Sequence, residues 1–115
     1  MFIKNSISFL IFLSIINSVY SQKKEIKNAN SLKIISYNIW NGFDRAKDID
    51  RKKNMGDWVV LQNPDVVALQ ELNGYTKEKL LQDAKKWGHN YAEIVKITGY
   101  PVGITSNKPI EVKEK

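Results

Sequence analysis

The chain has 115 residues, a formal net charge of +6 and no cysteine. Without cysteine it can form neither a disulfide nor a cysteine-linked lipid anchor, so its stability must come from packing or from bound metal. The excess of basic residues suits a polyanionic partner such as nucleic acid or an anionic lipid surface, although the charges are scattered along the chain.

Residues 1–21 have the pattern of a secretory signal peptide. One basic residue, Lys4, precedes an apolar stretch over residues 7–16, and small residues lead to Ser21. The apolar stretch is shorter than the roughly 20 residues that a membrane anchor needs, and a buried N-terminal helix is the alternative. We predict cleavage after Ser21 and a secreted or periplasmic protein.

Residues 22–31 are polar and rich in lysine, which is typical of a solvated linker. The folded domain is therefore expected over residues 32–115.

Two predicted strands end in side chains that carry oxygen. The first, residues 32–39, has Asn38 near its end, and the second, residues 66–72, has Gln70 and Glu71 at its exit. A sheet that holds a hard cation beside a phosphate needs such oxygens. The alternative is that each is an ordinary buried strand whose polar end caps a loop. The apolar run that begins the second strand also predicts a sheet covered on both faces.

Two helices are predicted on either side of the second strand. The first covers residues 48–62 and should bury Trp58 in the core. The second covers residues 76–87, with Thr76 as its N-cap and Gly88 as its stop. The lysines on the outer side of the second helix are either a solvated surface or a nucleic-acid footprint.

The rest of the chain predicts three short strands, over residues 91–97, 102–106 and 110–113. Gly103 in the middle one permits either close backbone approach or tight packing. The only histidine, His89, is predicted to be a cap or surface residue rather than a catalytic base.

Three short segments carry the most informative motifs. They are Ser-Tyr-Asn-Ile at 36–39, Pro-Asp-Val-Val-Ala-Leu-Gln-Glu-Leu at 64–72 and Gly-Ile-Thr-Ser-Asn-Lys-Pro-Ile at 103–110. Together they resemble the opening motifs of the endonuclease/exonuclease/phosphatase superfamily, which includes pancreatic-type deoxyribonucleases, apurinic endonucleases, inositol polyphosphate 5-phosphatases and neutral sphingomyelinases. The resemblance implies the N-terminal half of a four-layer α/β sandwich, with two sheets flanked by helices, truncated in this chain.

The same resemblance implies metal-assisted hydrolysis of a phosphate ester. Glu71 would bind Mg²⁺ or Mn²⁺, and Asn38 would orient the metal or the substrate phosphate through its amide. The water-activating base and the catalytic histidine would lie beyond Lys115, so no catalytic residue is expected within this chain. Nucleic acid, an inositol phosphate or a phospholipid such as sphingomyelin is the expected substrate, and no stable protein partner is expected.

Two other functions stay open. The chain could be a complete, non-catalytic secreted module that binds nucleic acid or anionic membrane, or a fragment that needs a partner chain to complete its sheet. Mg²⁺-dependent cleavage that Glu71→Ala abolishes would favour catalysis. Salt-sensitive polyanion binding that is indifferent to Glu71→Ala would favour the binding module.

Overall fold

Four strands pair into one mixed sheet in the computed structural model, which describes residues 30–114. In chain order they are β1 (Ile34–Asn38), β2 (Val66–Gln70), β3 (Tyr91–Lys96) and β4 (Val102–Ser106), and their order across the sheet is β1-β2-β4-β3. The predicted signal peptide, and all but the last two residues of the predicted linker, lie outside the described residues.

Strands β1 and β2 are parallel, whereas β4 runs antiparallel to both of its neighbours. The chain between β1 and β2 contains a helix, as the crossover of a parallel pair requires. The register pairs Asn38 with Gln70, the last residues of the two strands. The C-terminal ends of β1 and β2 therefore meet at one end of the sheet, and Glu71 follows there directly.

The helical segments are α1 (Trp40–Ala46), α2 (Ile49–Gln62) and α3 (Lys77–Ala84), with a 3₁₀ turn (Lys85–Trp87) continuing α3. The predicted N-cap of α3 is confirmed, because the Thr76 hydroxyl accepts a hydrogen bond from the Lys79 backbone N–H at 3.2 Å. Gly88 ends the 3₁₀ turn with a positive φ of 82°, as its position predicted. No helix among residues 30–114 is long and apolar enough to cross a membrane.

The hydrophobic core lies between α2, α3 and one face of the sheet. Val59, Val67 and Leu80, from α2, β2 and α3, are each 0% exposed. The core cluster comprises Ile35, Ile39, Phe43, Met55, Val59, Val67, Leu69, Leu72, Leu80, Ala84, Trp87 and Ala92. Burial of these apolar side chains is the main favourable contribution to folding of the domain.

The opposite face of the sheet is only partly covered by the described residues. Ile34 on one edge strand is 61% exposed and Tyr91 on the other is 39% exposed, while Val66 and Ile104 between them are partly buried. The prediction of a sheet covered on both faces is therefore wrong for residues 30–114. The uninterrupted apolar run arises because β2 is central in the sheet, where even its outward-facing residues are partly screened by neighbouring strands.

Two local predictions are wrong. Residues 110–113 form no strand: β4 is already paired on both sides, with β2 and β3, and the chain after it does not add to the free edge of β1 or of β3. Trp58 is 42% exposed rather than part of the core. It lies on α2 with its ring against that of Tyr37 of β1, 6.0 Å between centroids.

His89 is buried rather than at the surface, and its exposed fraction is 1%. Its Nε2 donates to the backbone oxygen of Pro64 (2.9 Å), which can only accept. Its Nδ1 lies 2.8 Å from the hydroxyl of Thr105, which also accepts from the indole N–H of Trp87 at 3.3 Å. The prediction that His89 is a surface or cap residue is therefore wrong. The histidine joins the segment after α3 to β4 and to the residue before Asp65.

Asp65 and Asn107 join strands at the end of the sheet opposite Glu71. Asp65 Oδ2 accepts the backbone N–H of Lys33 at 2.9 Å, and Oδ1 accepts the side-chain N–H of Asn107 at 3.2 Å. Asp65 and Asn107 both belong to the segments that carry the family resemblance. These two motif residues therefore join strands at one end of the sheet, whereas Asn38 and Glu71 lie at the opposite end of the sheet.

Gly103→Ala should lower the free energy of unfolding by about 1–3 kcal/mol, the usual cost of overpacking. A Cβ at this position would lie 2.6 Å from Leu72 Cδ1 and 2.9 Å from the Glu93 backbone oxygen. Gly56→Ala is the matched control, because a Cβ there meets nothing within 4 Å and alanine favours the helix interior by about 1 kcal/mol. Equilibrium urea denaturation compares the two variants. A wild-type midpoint for Gly103→Ala would contradict the close packing.

Candidate functional site

The ends of β1 and β2 bring Asn38 and Glu71 into direct contact. The amide Nδ2 of Asn38 donates to Oε1 of Glu71 at 3.0 Å. The parallel register places these side chains together, because Asn38 lies opposite Gln70 and Glu71 is the next residue. The two residues predicted to form a site are therefore neighbours in space.

The orientation of the Asn38 amide is fixed by a second hydrogen bond. Its Oδ1 accepts the backbone N–H of Trp40 at 2.8 Å. Since only the amide oxygen can accept from an N–H, the amide nitrogen must face Glu71. Asn38 therefore donates a hydrogen bond that positions the Glu71 carboxylate.

The other oxygen of Glu71 is held by the chain that follows β1. Oε2 accepts the backbone N–H of Asn41 at 2.9 Å, and the backbone oxygen of Glu71 accepts the N–H of Gly42 at 2.8 Å. Glu71 itself has a positive φ of 60°. One residue at the exit of β2 thus organises the segment that leaves β1.

Segment α1 has a left-handed backbone. Its seven residues all have φ values between 50° and 67°. This conformation costs a non-glycine residue about 1–2 kcal/mol, so neighbouring contacts must hold it in place. Gly42 is required for a further reason, because a Cβ there would collide with the backbone oxygen of Asn73. Strained backbone of this kind is concentrated at functional sites.

Arg51 holds α1 from the side of α2. Its Nη2 donates to the backbone oxygen of Ile39 at 3.0 Å, and its Nε donates to Asp48 at 2.9 Å. The guanidinium also lies over the rings of Trp40 and Phe43, at 5.7 and 5.2 Å from their centroids. These contacts offset part of the backbone cost and fix the loop against the helix.

Hydrogen bonds lower the pKa of Glu71 below its ordinary value of 4.5. The Asn38 amide contributes most and the Asn41 N–H adds to it, because both donors favour the ionised form. Glu71 is therefore a carboxylate at neutral pH. A lowered pKa in the folded state stabilises the fold above the unfolded value near 4.5, and this stabilisation is lost as the pH falls through the folded-state pKa.

The donor set fits a hard divalent cation. Each Glu71 oxygen accepts one hydrogen bond and keeps further capacity, since a carboxylate offers about four acceptor positions. Among residues 30–114, no three side chains of the Asp, Glu and His types gather at one place. Mg²⁺ commonly takes only one or two carboxylates and completes its shell with water and substrate phosphate. Glu71 meets that requirement, while Asn38 turns its amide nitrogen to Glu71 and its Oδ1 to the Trp40 N–H.

A cleft of about 330 Å³ is lined by Asn41, Arg45, Ala46, Asn73, Gly74 and Lys79, and neither Asn38 nor Glu71 is among its lining residues. Arg45 and Lys79 bring two positive charges to it, and Asn41 connects it to Glu71. Charge-assisted hydrogen bonds from such groups suit a phosphate. A second cleft of about 380 Å³, between α2 and α3, is lined by apolar side chains of the core together with the charged side chains of Lys52, Lys53, Asp57, Asp83 and Lys86.

A mixed sheet whose parallel strand ends present an amide and a carboxylate is typical of an α/β enzyme with its site at the strand termini. The sequence model of the Endonuclease/Exonuclease/phosphatase family matches residues 35–115. The chain belongs to this family, a superfamily of phosphoester-hydrolase type, and the resemblance drawn from the motifs is confirmed. A search of curated proteins found no match.

Three parts of the site were not predicted from the sequence. Asn41-Gly42 signalled a turn, but not that the Asn41 N–H would bind Glu71. Arg51 has the spacing of an ordinary surface residue on α2, and nothing in the sequence links it to Ile39. Trp40 also carried no signal of its own, although its N–H orients Asn38.

Asn38→Ala should raise the pKa of Glu71 toward its ordinary value, because the largest contribution to the lowered pKa comes from the Asn38 amide. Carbon-detected NMR titration of the Glu71 carboxyl measures this directly. Ser36→Ala is the control, since Ser36 accepts only from Gln70 on the same strand pair. An unchanged Glu71 titration in Asn38→Ala would contradict the assigned role of the amide.

Proposed function

We propose that the protein is a secreted hydrolase of phosphate esters that depends on Mg²⁺ or Mn²⁺. The observation that carries the proposal is the Asn38–Glu71 pair at the joined ends of β1 and β2. It supplies an ionised carboxylate, oriented by an amide, in a chain of the phosphoester-hydrolase superfamily. The predicted signal peptide over residues 1–21 supports the secreted location.

Glu71 is the proposed metal ligand, and Asn38 holds it in place. A divalent cation bound there would stabilise negative charge on the phosphoryl oxygens and the leaving group. Asn38 and the Asn41 N–H fix the two carboxylate oxygens, so the ligand is ordered before the metal arrives. Preorganised ligands of this kind lower the cost of binding.

Arg45 and Lys79 are the proposed phosphate-binding residues of the cleft that Asn41 also lines. Their charges attract a phosphate diester or monoester and partly neutralise it. Nucleic acid, inositol phosphates and phospholipid head groups all carry this group.

We also propose that residues beyond Lys115 complete the site and cover the open face of the sheet. The exposed Ile34 and the partly buried Val66 and Ile104 give that face an apolar surface, which suits the inside of a sheet sandwich. A second sheet packed there would give the four-layer arrangement. It would also bring the general base and the histidine that the described residues do not supply beside Glu71.

A non-catalytic secreted binding module for nucleic acid or anionic membrane is the second candidate. It is favoured by one observation: no group of three or more Asp, Glu or His side chains within residues 30–114 could hold a metal ion. The basic excess of the chain would then serve polyanion binding alone.

Hydrolysis of a generic phosphodiester, bis-p-nitrophenyl phosphate, by the secreted protein tests the proposal. The intact mass of that protein first establishes whether its chain extends beyond residues 22–115. We expect activity with Mg²⁺, none with EDTA, and a loss of about a hundredfold or more in Glu71→Gln, because the metal supplies several kcal/mol of stabilisation.

Glu78→Gln is the matched control, since Glu78 lies in the first turn of α3 and has no part in the Asn38–Glu71 pair. Wild-type activity in Glu71→Gln would refute the metal role. Salt-sensitive polyanion binding that Glu71→Gln leaves unchanged, with no hydrolysis by the wild type, would instead favour the binding module.

A further inference from the structure

Trp40 is a large aromatic residue that the fold holds exposed at the edge of the candidate site. It is 59% exposed, although burial of an indole in the core would be strongly favourable. Its backbone N–H donates to Asn38 Oδ1 at 2.8 Å, and Asn38 in turn donates to Glu71 at 3.0 Å. The backbone of Trp40 is therefore linked to the proposed metal ligand through two hydrogen bonds.

The backbone and one face of the indole are both fixed. Trp40 has a φ of 50°, a strained value for a tryptophan, which persists because surrounding contacts such as the Trp40–Asn38 hydrogen bond hold the backbone. The Arg51 guanidinium covers one face of the ring at 5.7 Å from its centroid. With most of the residue exposed, the opposite face is available to a ligand.

We propose that Trp40 is a stacking platform for a nucleobase, and that the substrate of this site is a nucleic acid or nucleotide rather than an inositol phosphate. This rests on the proposed function, because the platform places the base next to the phosphate held at Glu71. Aromatic side chains beside positive charge are the usual means of binding single-stranded nucleic acid. An inositol ring has no π-face to stack.

The positive charge of Arg51 also bears on which ligand can bind the free face of Trp40, a nucleobase or a quaternary ammonium group such as choline. A cation on one face draws the ring electrons toward itself, which weakens attraction for a second cation on the other face. A choline head group is thus disfavoured, whereas a neutral base stacks without that penalty. The arrangement therefore favours a nucleobase over a quaternary ammonium ligand.

The test compares two labelled single strands of equal length and charge, one with bases and one abasic. Fluorescence anisotropy in EDTA gives equilibrium binding without hydrolysis. The wild type should bind the strand with bases more tightly, and Trp40→Ala should weaken that binding about tenfold, within the range measured for loss of one stacked base. Binding of the abasic strand should not change.

Trp40→Phe should keep most of the preference, since phenylalanine retains an aromatic face. Trp58→Ala is the matched control, an exposed tryptophan outside the Asn38–Glu71 pair. Circular dichroism verifies that each variant is folded. No preference for bases in the wild type, or an equal loss of both strands in Trp40→Ala, overturns the platform. Displacement of the strand by phosphocholine but not by a nucleoside monophosphate also overturns it.

The two proposals fail separately. The base preference is measured on the wild type in EDTA, so no metal takes part in that measurement. Normal base preference with no Mg²⁺-dependent hydrolysis would refute the hydrolase alone. Normal hydrolysis with no effect of Trp40→Ala on either strand would refute the platform alone.

Discussion

The hydrogen bond between Asn38 and Glu71 is the contact on which the proposed metal site and the position of Trp40 both depend. It exists because β1 and β2 are parallel and in a register that ends both strands at the same level. A shift of that register by one residue would turn the side chains of one strand to the opposite face. The bond therefore depends on the packing of the whole domain, including the burial of Val59, Val67 and Leu80.

The same carboxylate also sets the conformation of the chain around it. The left-handed segment α1 is held by Glu71 on one side and by Arg51 on the other. The strained backbone persists because these contacts hold it, together with the close approach of Gly42 to the backbone of Asn73. An ordered carboxylate and an exposed indole at fixed positions result from this single arrangement.

Much of the fold follows from local sequence signals. The strand around Val66, the N-cap Thr76 and the helix stop at Gly88 are all present as predicted. The proximity of Asn38 and Glu71 also followed from the sequence, since two apolar strands joined by a helix are parallel and end together.

The remaining features depend on tertiary contacts that no local pattern encodes. His89 is buried because Pro64 and Thr105, distant in sequence, satisfy both of its ring nitrogens. Trp58 is exposed because Met55 and Val59 already fill the inner side of α2. The Arg51–Ile39 hydrogen bond joins α2 to the end of β1, and the bonds of Glu71 to Asn41 and Gly42 join the exit of β2 to α1. Both sets of contacts form only when the domain has folded.

Paramagnetic broadening by Mn²⁺ tests the central claim most directly. In a two-dimensional NMR spectrum of the chain, substoichiometric Mn²⁺ should broaden the backbone amides of Trp40, Asn41 and Glu71 first, and Glu71→Gln should remove the effect. Broadening centred instead on Asp57 or Asp83 of the helices, or unchanged in Glu71→Gln, would contradict a divalent-cation site at the joined ends of β1 and β2.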